Sequence, residues 1–104
     1  KFRSNGYSVA WADKEKNCGI NIIVNYKHDR TGFQIILNDN TIGIKSVRKA
    51  VEGMKLFDCD EVWIVTNAPS FSRQAENLAD ENNIILLDRE QTKIFFEERY
   101  IKDN

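Results

Sequence analysis

The hydrophobic period of this chain changes between Leu37 and Ile44, and that change constrains the fold more than any other feature. Before it, apolar and polar residues alternate in short runs. Tyr7-Ser8-Val9-Ala10-Trp11 follows Asn5-Gly6, a turn signal because both residues tolerate the left-handed backbone region. Residues 19–26 are rich in β-branched side chains, and Phe33-Gln34-Ile35-Ile36-Leu37 follows a charged loop over residues 27–31 and Gly32. Successive side chains on a strand point to opposite faces, so period two predicts strands. Three strands joined by short polar segments predict an antiparallel meander.

After the change, Ile44, Val47, Val51, Met54 and Phe57 recur in steps of three and four, which places them on one face of a helix. Residues 61–66 read as a strand. Asn67-Ala68-Pro69-Ser70 reads as a turn, with Ser70 able to cap the next helix. Phe71, Ala75, Leu78 and Ala79 form that helix's apolar face, and Asn82-Asn83 ends it. Ile84-Ile85-Leu86-Leu87 has the unbroken apolar character of a strand inside a sheet covered on both faces. Asp88 with Gln91 resembles a capping box opening a last helix with Ile94, Phe95 and Tyr100. The expectation is an α/β domain: a three-strand antiparallel meander, then two crossover strand-helix units in a mixed sheet, with right-handed parallel crossovers.

A chain of 104 residues supports one hydrophobic core, so residues 1–104 read as a single domain. Lys1-Phe2-Arg3-Ser4 reads as the last turn of a helix, so the domain is expected to come from a longer chain and to lack most of its first helix. Apolar residues make up 41% and charged residues 30%, a globular mixture. A net charge of -1 removes any argument for nucleic acid from overall charge, so such contact must rest on a local patch. No apolar run approaches the roughly 18 residues that would span a bilayer, and no secretory signal opens the sequence. A cytoplasmic protein without membrane partners is expected. Cys18 and Cys59 have no CxxC spacing and read as reduced thiols. Together with the one histidine, His28, they do not make a zinc site. No metal or cofactor is expected.

The order of these pieces is similar to the catalytic core of the restriction endonuclease-like superfamily, and the local sequence resembles its Mrr branch. The resemblance rests on Gly6-Tyr7-Ser8-Val9, Gly19-Ile20-Asn21-Ile22-Ile23, Phe33-Gln34-Ile35-Ile36 and Trp63-Ile64-Val65-Thr66-Asn67. It continues in Phe71-Ser72-Arg73-Gln74-Ala75 and Ile84-Ile85-Leu86-Leu87-Asp88. It implies a nuclease fold in which an Asp on the second strand and a Glu or Gln on the third hold a divalent ion. A Lys two residues after the latter would serve the attacking water. Hard cations want anionic oxygen ligands, and the bound ion would lower the pKa of water and offset charge on the phosphate. In this sequence the three positions are Asn21, Gln34 and Ile36. A carboxamide is a weaker ligand than a carboxylate, and an isoleucine can serve neither water nor anion. The resemblance therefore implies a nuclease fold degenerate at its catalytic motif.

Three functions compete. The first is a non-catalytic module that docks on double-stranded DNA through Lys45, Arg48, Lys49 and Lys55 on the first complete helix, with Arg73 and Arg89 nearby. The second is a protein-interaction domain that packs on the remainder of a larger chain or on a second copy, with Trp11, Trp63, Phe95, Phe96 and Tyr100 as anchors. The third is a metal-dependent DNA endonuclease whose site has migrated to Asp13, Glu15, Lys45 or Lys49.

Overall fold

A computed structural model describes residues 7–11 and 19–98. Its elements run β1 (Tyr7–Trp11), β2 (Ile22–Tyr26), β3 (Asp29–Ile36), α1 (Ile44–Leu56), β4 (Glu61–Thr66), α2 (Arg73–Glu81), β5 (Ile84–Leu87) and α3 (Arg89–Phe96). The strands form one sheet in the order β1-β2-β3-β4-β5. The first three are antiparallel neighbours, and β3, β4 and β5 are parallel. The meander and the two crossover units are therefore both present.

The third strand begins earlier than the alternation from Phe33 predicts. Tyr26 pairs with Asp29, so the hairpin loop shrinks to Lys27-His28, with Lys27 at φ 57. The charge at Arg30 hides the strand in sequence, but its side chain is held by protein acceptors. Nε donates to the Phe57 carbonyl at 2.5 Å and Nη1 to Asn25 Oδ1 at 3.3 Å. The second strand is shorter than residues 19–26, because Gly19 at φ 81 turns the chain before pairing starts.

Each helix start has its own cause. α1 begins after Gly43 with no side-chain cap. α2 is capped by Ser72, whose hydroxyl accepts from the Ala75 N–H at 3.1 Å. This corrects the expectation for Ser70, whose hydroxyl instead meets Thr41 Oγ1 at 3.0 Å. Phe71 is thus pulled out of the helix into a single parallel bridge with Ile42. At α3 the capping box is complete: Asp88 Oδ1 accepts from the Gln91 N–H, and Gln91 Oε1 accepts from the Asp88 N–H.

The core lies between the sheet and the α1–α2 pair. Ile23, Val62, Ile64 and Ile84 of the sheet meet Val47, Ala50, Ala75 and Ala79 of the helices. Val47, Val62 and Ile64 are fully buried, and each such side chain contributes about 1.5–3 kcal/mol. The small residues Ala50, Ala75 and Ala79 let the two helices sit close to each other and to the strands. β5 forms an edge of the sheet, so its unbroken apolar run reflects cover by α2 and α3 on its two faces and not strands on both sides.

The opposite face is also apolar. Val9, Ile22, Val24, Phe33, Ile35, Trp63, Val65 and Leu87 line a groove there together with Phe95 and Phe96. α3 covers only the β4–β5 half, through ring contacts from Phe95 to Trp63 at 5.5 Å and from Trp63 to Phe33 at 6.3 Å. Over β1–β3, Trp11 is 79% exposed and Leu37 83%.

Candidate nucleic-acid interface

Two of the three motif positions, Gln34 and Ile36, lie on the core face of β3, and Asn21 stands exposed just before β2. Asn21 directs its N–H to the Phe33 carbonyl at 2.8 Å. Its side-chain Oδ1 accepts from the Ile35 N–H at 2.7 Å, extending the β2–β3 pairing by one bond. That amide oxygen is committed to the backbone. Gln34, in the middle of β3, is 5% exposed. Its Nε2 donates to the Ser46 carbonyl in the first turn of α1 at 3.3 Å, and its Oε1 is buried with no donor among the described residues. Ile36 is half-buried and packs against the core cluster, so the position that a lysine would hold borders the hydrophobic interior.

Gly19 closes this group from above. A Cβ there would stand 2.6 Å from Gln34 Nε2 and 3.1 Å from Lys49 Cβ. The close approach and the positive φ both require glycine. The Gln34 amide and the stem of Lys49 thus both crowd the space at Gly19. Sequence reasoning missed Gly19 as a site residue. Its signal was a glycine two residues before the motif asparagine, which read there as the start of a strand.

Lys45, Arg48, Lys49 and Lys55 are all exposed on α1. Steps of three and four put them along one stripe, interrupted by Glu52. Lys45, Arg48 and Lys49 form its N-terminal cluster, while Lys55 sits about 9 Å beyond Lys49 along the axis, in the last turn. Arg73 opens α2, and the Ile42–Phe71 bridge with the Thr41–Ser70 hydrogen bond ties the entries to α1 and α2 together. Arg73 is therefore near the cluster's end of the molecule. Arg89 is not, because it begins α3 on the other side of the sheet, where it lines a small pocket with Leu37 and Lys93.

Among the described residues, the donors at the motif do not fit a divalent ion. The described residues offer one free oxygen at the motif, Gln34 Oε1, and it is neutral. Among the described residues no three His, Cys, Asp or Glu side chains converge. Asp13 and Glu15, the acids of the migrated-site reading, lie outside the described residues, as do Cys18 and Tyr100. Cys59 is a free, buried thiol. Burial raises its pKa, against an opposing pull from the Arg30 guanidinium.

This architecture, a meander joined to parallel crossover units with one motif residue before β2 and two on β3, defines a restriction endonuclease-like α/β domain. The catalytic-domain family of Mrr-type restriction endonucleases matches residues 1–93, and the chain belongs to it. One similar solved structure is a protein of unknown function, AF1548. It aligns over 83% of this chain with a TM-score of 0.60 and 17% identity, a likeness of fold alone. The chain spans about half of that protein, 51% of its length. No curated protein matches. No helix among the described residues is long and apolar enough to cross a membrane.

Proposed function

We propose that this domain is a catalytically inactive member of its family that docks on the phosphates of double-stranded DNA. The observation that carries the reading is the composition of the motif. Two carboxamides and a half-buried isoleucine stand where a metal-dependent nuclease needs anions and a lysine, and the Lys49 stem packs close to Gly19, beside the motif. A cluster of cations beside a neutral site favours phosphate over a metal ion. Lys45, Arg48 and Lys49 contribute long-range attraction, and each phosphate contact releases condensed counterions. Asn21 and Gln34 are held by backbone partners and keep the strand ends and α1 in fixed relation.

The test is fluorescence anisotropy of labelled duplex DNA at low and physiological salt, alongside a cleavage assay with Mg²⁺ and Mn²⁺. The reading requires salt-sensitive binding that Lys45→Ala with Lys49→Ala removes, and no cleavage. Absence of binding at low salt would refute docking. Clean cleavage lost on Asp13→Asn or Glu15→Gln would replace it with the migrated-site nuclease.

A second reading has its own observation. The half of the sheet over β1–β3 presents Trp11, Leu37 and the open part of the apolar groove to solvent. Exposed apolar patches of this kind mark packing surfaces. We assign this face to contact with the remainder of a larger chain or with a second copy. Sedimentation of the domain, with and without Trp11→Lys, tests the second-copy case.

A further inference from the structure

We infer that the free edge of β5 and the acidic side of α2 form a docking groove for an extended basic segment of a partner protein, added to the sheet as a sixth strand. This inference concerns a surface apart from the α1 cluster. β5 pairs with β4 on one side and with no described strand on the other. Its outer backbone groups are therefore a template for strand addition, a recurrent mode of peptide recognition.

The edge is not bare. α2 packs along β5, and between them runs a groove of about 440 Å³ walled by Glu76, Asn77, Asp80, Ile84 and Leu86. Ile84 and Leu86 face the core side, toward α2, because they pair with Val62 and Ile64 of the buried face. A strand added beside β5 would present every second side chain to this groove.

Charge selects the occupant. α2 carries Glu76, Asp80 and Glu81 against the single cation Arg73 at its start. Glu76 and Asp80 are exposed, and among the described residues neither takes part in an ion pair or a side-chain hydrogen bond. Like charges four residues apart on a helix repel modestly, so a ligand cation between them removes a cost as well as adding attraction. Spacing agrees with charge. Four helical residues advance about 6 Å, and two strand residues advance about 6.6 Å. Two Lys or Arg side chains at alternate positions of an added strand therefore match Glu76 and Asp80 in step. The carboxylates repel nucleic-acid phosphate, so this groove and the α1 cluster sort different partners.

The probe is a short blocked peptide of alternating Val and Lys, titrated into the domain at low and physiological salt. Amide resonances of residues 84–87 report the strand addition. The expected result is saturable binding that protects and shifts those amides. Glu76→Lys with Asp80→Lys weakens it about tenfold or more, and so does N-methylation of alternate peptide nitrogens. Both substitutions lie on the surface, and circular dichroism checks that the fold is kept. DNA affinity is not reduced by the double substitution, which separates this inference from the reading of α1. Binding indifferent to N-methylation, shifts confined to other elements, or no binding at low salt would overturn it. So would a concentration-dependent doubling of mass that occupies the β5 edge, because the occupant would then be a second copy.

Discussion

Replacing Gly19 with alanine tests whether the motif region is as tightly built as its contacts indicate. The new methyl would stand 2.6 Å from Gln34 Nε2, 3.1 Å from Lys49 Cβ and 3.3 Å from the Lys49 backbone carbon. Helix backbone cannot withdraw cheaply, so the Gln34 amide must swing away and give up its bond to the Ser46 carbonyl. Loss of that bond from a buried group costs about 1–2 kcal/mol. Holding alanine at φ 81 costs about another 1–2 kcal/mol. The sum, about 2–4 kcal/mol, is a large part of the roughly 5–15 kcal/mol that a domain of this kind possesses. Urea unfolding should show the midpoint falling by about 1–2 M at unchanged slope. The same substitution in a Gln34→Ala background should cost less, because the steric share is gone and the backbone share remains. A loss below about 0.5 kcal/mol in the native background, the ordinary effect of a surface change, would refute the reasoning.

Other consequences can be measured directly. Thr66 is 3% exposed, donates to the Ile36 carbonyl at 2.6 Å and accepts from the Ala68 N–H at 3.1 Å. Thr66→Val strands both groups and should cost about 2–3 kcal/mol by urea unfolding. Asn21→Asp with Ile36→Lys restores the family's motif residues, and the introduced carboxylate can keep the bond to the Ile35 N–H. Isothermal titration should then detect Mn²⁺ binding, with none expected for the unaltered domain. Burial raises the pKa of Cys59 above its ordinary value. Alkylation of the folded domain should therefore be slower than that of the urea-unfolded chain across alkaline pH. The unfolded thiol ionises first as pH rises, so this group's contribution to stability is intact below the unfolded pKa and declines as pH climbs through the folded one.

Much of this molecule was legible from hydrophobic period alone. β4, β5 and the start of α1 fall where alternation or helical spacing puts them, because each buries one face or two against a neighbour, and β1 keeps its predicted bounds through its pairing with β2. Legibility failed where tertiary partners override local chemistry. Arg30 reads as loop but is a strand residue fixed by acceptors distant in sequence, Phe57 above all. Ser70 reads as a cap, yet the bridge from Ile42 to Phe71 moves the helix start to Ser72. At the site, the identities of Asn21, Gln34 and Ile36 were plain, but their different fates were not. One carboxamide extends the ladder, one is buried with an orphan oxygen, and the isoleucine packs half-buried against the core. Gly19 and Ser46 went unseen because their parts depend on distances across the sheet and α1. Arg89 went to the wrong face because the sequence does not say on which side α3 returns.

The sheet's two halves also differ in how they come apart. β4 has a neighbour on each side and helices on both faces, whereas β1 holds on through β2 and lies at the uncovered edge. Opening of a native protein proceeds in cooperative units graded by burial. The amides of β1 should therefore exchange with solvent through local detachment of one strand, while those of β4 wait for the entire domain to unfold. This fold thus has a removable margin and an indivisible centre, and the motif at β2 and β3 sits on the boundary between them.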